Sequence, residues 1–99
     1  MTTTAVPLCP PREVSAHPQE FKRGLALAFP GRVDDQGHVL RADDGTAALE
    51  IQLTVGTPRA IANIRLPTLY VNILGTAGTP EQQQNMLKHM DRAMHRGGG

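Results

Sequence analysis

The amino-acid sequence predicts an α+β fold: a small four-stranded, mainly antiparallel sheet in the order β-β-β-α-β-α, with two helices on one face and a disordered N-terminal arm. Three observations predict it. TAALEIQLTV (46–55) and TLYVNIL (68–74) alternate apolar and polar residues, the signature of strands with one dry and one wet face. TPEQQQNMLKHMDRAMHR (79–96) repeats its apolar residues at helical spacing. Finally, 99 residues make a single domain.

Residues 1–20 hold four of the eight prolines and little apolar periodicity, so they are assigned to a flexible Pro-rich arm with Val6, Leu8 and Cys9 as its apolar grip. From Phe21 the text changes, and 21–96 is assigned to one α+β domain. RGLALAF (23–29) sets Leu25, Leu27 and Phe29 against Ala26 and Ala28, a period of two, and predicts a first strand. Pro30-Gly31 after it suits an edge. DDQG (34–37) is turn chemistry, HVLRA (38–42) a short second strand, and DDG (43–45) a hairpin turn. In the third strand Leu49, Ile51, Leu53 and Val55 point inward, and Ala48, Glu50, Gln52 and Thr54 outward. GTPRAIANIRLP (56–67) breaks the alternation: Thr57 can cap, Pro58 suits a first helical position, and Ile61 and Ile64 fall three apart, which predicts a short helix ending before Pro67. The fourth strand points Leu69, Val71 and Ile73 inward and Tyr70 and Asn72 outward. The last helix opens with a capping box, Thr79 with Gln82, with Pro80 at the first position and Glu81 favoured by the helix dipole. Its stripe is Met86, Leu87, Met90, Ala93 and Met94; Gly97–Gly99 is read as a flexible tail.

Composition excludes more than it assigns. Aromatics are Phe21, Phe29 and Tyr70 only, so the core must be aliphatic and thin, leaving a few kcal/mol of stability by the usual bookkeeping of about 25 cal/mol per Å² against chain entropy. A second copy or a partner would add burial. A net charge of +1 gathers no polyanion, and neither a basic face nor stacking aromatics are visible, so nucleic-acid binding is not expected. Arginine supplies eight of ten basic residues, a bias of GC-rich bacterial genomes. One cysteine, Cys9, permits no internal disulfide and fits a reducing cytoplasm. No run of about 18 apolar residues exists, so no membrane span is expected.

The chemical candidates are few. His89 and His95 are six residues apart, on opposite sides of a helix, which is wrong for a two-histidine metal clip; no metal and no cofactor are expected. Asp91 is placed to meet His95 at i, i+4. The acidic pairs Asp34-Asp35 and Asp43-Asp44 read as turns at opposite ends of a strand and not as a calcium loop. The terminal glycines are similar to the Gly-Gly end of β-grasp sulfur carriers and ubiquitin-like modifiers, in which the tail leaves a strand; here it follows a helix. No nucleophile has a base held beside it, so the reading leans against an enzyme. Gly75, Thr76, Gly78 and Thr79 run from a strand into a helix N-terminus, and with Arg65 they form a candidate anion or small-ligand site. The remaining candidate is the polar sheet face. Tyr70, Asn72, Gln52 and Glu50 project from it and are the expected contacts of a non-catalytic interaction or regulatory module, with a protein partner or a homodimer.

Overall fold

The computed structural model describes residues 5–97, with side chains as far as Met94. Its elements in order are β1 (Val6–Pro7), β2 (Arg12–Val14), α1 (Pro18–Ala28), β3 (Val33–Asp35), β4 (Val39–Asp43), β5 (Ala48–Val55), β6 (Arg59–Ile61), β7 (Ile64–Leu66), β8 (Leu69–Ala77) and α2 (Pro80–Gly97). The class is the expected α+β with an antiparallel sheet and two helices. The sheet, however, has six strands in place of four, ordered β1-β8-β5-β4-β3 with β2 also on β8, and β6 and β7 form a separate two-stranded ribbon.

The long patterned segments fold as their periodicity requires. β5 and β8 pair antiparallel from Ala48↔Ala77 to Val55↔Leu69, with a register shift at Ala48/Leu49. Their inward rows, Leu49, Ile51 and Leu53 with Leu69, Val71 and Ile73, are buried, and Met86, Leu87 and Met90 of α2 close over them. The capping box forms: the Thr79 amide donates to Gln82 Oε1 at 2.9 Å, and the Gln82 amide donates to Thr79 Oγ1 at 3.1 Å.

Three expectations are corrected. Residues 23–29 are not a strand; α1 covers 23–28 and Phe29 is its C-cap. Pro18 starts the helix, Glu20 accepts from the His17 amide at 3.0 Å, and Phe21, Leu25 and Ala28 form the buried stripe. The alternation of Leu25, Leu27 and Phe29 was one of two periodicities in the same letters, and the i, i+4, i+7 one prevails because it buries Leu25 completely while Leu27 stays 74% exposed. Pro30-Gly31 ends this helix and blocks no edge. Residues 58–66 are not a helix but the β6–β7 hairpin. Eight residues between Pro58 and Pro67 are too few for a helix with nothing to pack on, and three-apart isoleucines also face each other across a two-residue turn, as Ile61↔Ile64 do. Lastly, residues 6–14, read as part of the arm, pair with β8: Val6↔Gly75 and Pro7↔Leu74 from β1, and Arg12↔Val71 to Val14↔Leu69 from β2. The prolines between these short strands blunt the sheet edge.

Side chains tie the layers together. Arg12 makes a bidentate pair with Asp91 of α2, at 2.6 and 2.9 Å, and the carboxylate raises the affinity of the guanidinium for its proton. Asp91 thus meets β2; the side chain of His95 lies outside the described residues. His89 Nε2 donates to the Ala28 carbonyl at the end of α1, 2.8 Å away, and its ring lies 5.3 Å from that of Phe29. The core is aliphatic as composition required, with Phe21 and Phe29 as its aromatic members.

Asp34 and Asp35, expected in a turn, instead end strand β3, and the turn starts after them; Asp35, Asp43 and Asp44 make Asx contacts. Asp35 Oδ1 accepts from the Gly37 amide, Asp43 Oδ1 from Gly45, and Asp44 Oδ1 from both Thr46 and Ala47, each at 2.8 Å. Donated amide hydrogens hold the Asp44 carboxyl below its ordinary value, first from Ala47 and then from Thr46; Asp35 is lowered by Gly37 and then by Lys22. A carboxylate depressed by folding adds stability above its unfolded value of about 4 and loses it as pH falls through the folded one. Stability is therefore expected to fall below about pH 4, and Asp44→Asn, which keeps the acceptor, should flatten that decline. Asp44→Ala leaves the amide of buried Ala47 unpaired and should cost about 1–2 kcal/mol in urea unfolding at pH 7.

Candidate functional site

The face of the sheet away from the helices is built in rows set by strand register. One row runs Asp34, Arg41, Glu50, Leu74 and Pro7 from β3 to β1; the next runs Val39, Gln52 and Asn72; the third runs Thr54, Tyr70 and Glu13. The four contact candidates read from the sequence, Glu50, Gln52, Tyr70 and Asn72, therefore share this face, with Gln52 directly opposite Asn72. Both helices join the core on the other side, so this face carries no helix.

The charge on it is largely cancelled locally. Glu50, with its side chain 18% exposed, accepts from Arg41 Nε and Nη2 at 3.4 Å and from Gln52 Nε2 at 3.0 Å. Held from both sides, it orients its neighbours. Tyr70 is 44% exposed, and its ring lies over Gly56: a Cβ there would sit 2.5 Å from the ring edge and 3.2 Å from Thr68 Cγ2. The glycine thus makes room for the ring to lie flat on the sheet end.

The structure adds a part of this surface that the sequence reading missed. In the hairpin, Arg59↔Leu66 and Ile61↔Ile64 share one side, and Ala60↔Arg65 take the other. Arg59 pairs with Glu13, the neighbour of Tyr70 on the open face, so the side bearing Ile61, Ile64 and Leu66 continues that face. Ile61 and Ile64 are 51% and 61% exposed. The available signal was AIANIR itself, two isoleucines placed symmetrically about Ala62-Asn63 between two prolines. Ala62 turns the ribbon at a φ of 53°. A glycine there escapes the Cβ clash, so Ala62→Gly should stabilise the ribbon by about 0.5–1 kcal/mol and slow amide exchange across 59–66 several-fold; unchanged exchange would count against strain at the turn.

In the loop of residues 75–79 several polar groups are paired within the chain. Gly75 is a buried strand residue, and Thr76 lies in β8. Gln83 fills the space beside Gly75 and donates to the carbonyls of Ala77 and Gly78 at 3.2 and 3.3 Å. The Gln82 and Gln83 amides donate to the hydroxyl and the carbonyl of Thr79, and Glu81 lies at the positive end of the helix dipole. Arg65 sits beyond the opposite end of β8, roughly 20 Å away by strand rise.

A groove of about 770 Å³ between α1 and α2 is lined by Phe21, Gly24, Leu27, Met90 and Met94, with the paired Arg12 and Asp91 also on its wall. Among the described residues, no three His, Cys, Asp or Glu side chains converge on one point, and no helix is long and apolar enough to cross a membrane. Residues 98–99 of the glycine tail lie outside the described residues; α2 runs to Gly97, so the tail follows a helix.

These features define an α+β domain with one helix-roofed sheet face and one bare face prolonged by a ribbon. Comparison with family models, curated proteins and solved structures gives no match to this chain.

Proposed function

We propose that this chain is a non-catalytic protein-interaction or regulatory module acting through the open sheet face, with Tyr70, Asn72, Gln52 and Glu50 as contacts. One observation supports this above the rest: a face centred on neutral polar side chains and a flat tyrosine passes into a ribbon that exposes two isoleucines to solvent. Tyrosine beside amide side chains supplies contact area at low cost in conformational freedom. The partner is a protein, either foreign or a second copy, and the single thiol of Cys9 suits a cytoplasmic setting.

A photo-crosslinking amino acid placed in turn at Gln52, Asn72, Lys88 and Arg92 tests the reading in cells. Covalent protein adducts are expected from positions 52 and 72, with Asn72→Arg weakening the contact at least about tenfold. Adducts from the helix positions 88 and 92 alone would overturn it.

A further inference from the structure

Residues 5–14 lie on the fold as a strap and not as part of its core. None of them is buried, and the buried core begins at Phe21. Yet this strap occupies the outer edge of β8 from Leu69 to Gly75. It does so poorly. β5 pairs with β8 at eight positions, whereas the strap pairs at five, two from β1 and three from β2. Between them four residues, Leu8 to Pro11, stand opposite Asn72 and Ile73, so the strap bulges at its two adjacent prolines. We infer that the β8 edge is a strand-addition site, that residues 5–14 are its built-in competitor, and that its ligand is an extended segment of another protein in which arginine, an acidic residue and an aliphatic residue follow one another.

The contacts of the strap define that ligand. Arg12 and Val14 project to the helix side, where Arg12 forms its bidentate pair with Asp91 and Val14 packs on the core. Glu13, between them, projects to the open face and pairs with Arg59. The site therefore offers a carboxylate on one side of an incoming strand and a guanidinium on the other, one residue apart. Leu8 also packs on the core; its amide donates to the Ile73 carbonyl at 3.0 Å, and its carbonyl accepts from Gln84 Nε2 at 3.2 Å. Strand addition takes affinity from such main-chain bonds and specificity from alternate side chains.

Tethering decides who the partner is. A second copy's strap would bring the same contacts and the same bulge. The chain's own strap is joined to α1 by three residues, Ser15 to His17, which holds it at an effective concentration on the order of millimolar. Exchange between copies therefore gains nothing. A foreign strand without the paired prolines runs straight past Asn72 and Ile73 and pairs at every position. The strap it displaces buries no residue fully and is clasped by two part-exposed ion pairs, so it lifts at lower cost than the core elements.

A fluorescein-labelled heptapeptide, Val-Thr-Leu-Thr-Arg-Glu-Val, keeps the strap's register and omits its bulge. Fluorescence anisotropy with the full chain should show it binding at least about tenfold tighter than the strap's own sequence, Val6 to Val14 with serine for cysteine. Arg12→Ala, which opens the Asp91 clasp, should tighten both peptides about tenfold and leave the circular dichroism unchanged, since Arg12 lies outside the core. Exchanging the arginine and glutamate of the heptapeptide should abolish binding. The Asp91→Arg chain should reject the original heptapeptide and accept one with glutamate in place of its arginine. No binding to the Arg12→Ala chain, no gain from that substitution, or indifference to the exchanged charges overturns the inference. A wild-type dimer in which residues 5–14 of one copy crosslink to β8 of the other also overturns it, by seating a second copy on the edge. Photo-crosslinking at Gln52 and Asn72 reads the open face separately, so either result can fail without the other.

Discussion

Leu25→Ala is expected to destabilise the protein by about 3–4 kcal/mol, and Leu27→Ala by no more than about 0.5 kcal/mol. Leu25 has no solvent exposure and sits where α1 meets the sheet and α2, whereas Leu27 is 74% exposed two residues on. Truncating Leu25 removes buried methyl groups and leaves a cavity in a core with few large side chains to relax into it. The loss is a large share of the 5–15 kcal/mol typical of a domain, so the urea midpoint should drop sharply and the thermal transition broaden. The pair also separates helix from strand. A strand with period two would put Leu25 and Leu27 on one face and make the two truncations similarly costly; equal effects would overturn α1.

Gly78→Ala should cost about 2–5 kcal/mol, by two mechanisms that add. The residue has a φ of 93°, which side chains avoid. A Cβ would also lie 2.8 Å from Ala47 Cβ and 2.9 Å from both Ala47 Cα and the Thr46 carbonyl oxygen. These are backbone or near-backbone atoms of the turn that Asp44 holds, and Ala47 is buried, so they cannot swing away. The strand-to-helix corner would have to move and carry the start of α2 with it. Gly31→Ala is the control: its φ is 69°, but nothing lies within 4 Å of the new Cβ, so only the conformational cost, about 1 kcal/mol, is expected. Equal unfolding midpoints for the two variants would show that the corner is not packed as described.

Both halves of the open face bear on how far a sequence can be read. Glu50, Gln52, Tyr70 and Asn72 were legible as one surface because a strand alternates strictly and their partners in β5 and β8 were each long enough to show it. Ile61 and Ile64, the apolar end of the same surface, were assigned to a helix. Their spacing of three satisfies a helical face and a two-residue turn equally, and the eight residues between the prolines are too few to break the tie. The loop of residues 75–79 was legible as a strand-to-helix turn, but spacing alone does not reveal that Gln82 accepts from the Thr79 amide while Gln83 donates to the carbonyls of Ala77 and Gly78.

By itself the sequence determined the α+β class, the inward rows of β5 and β8, the stripe and capping box of α2, and the turn at Asp44-Gly45. All of these are set by contacts within a few residues or by a period repeated often enough to be unambiguous. Only the tertiary structure decided that residues 18–28 coil, that 59–66 form a ribbon, and that 6–14 zip onto β8 some sixty residues away. In each case the local pattern allowed two conformations or none, and the free energy of burying Leu25 against α2, or of pairing edge amides across the sheet, depends on chain segments that no local window contains.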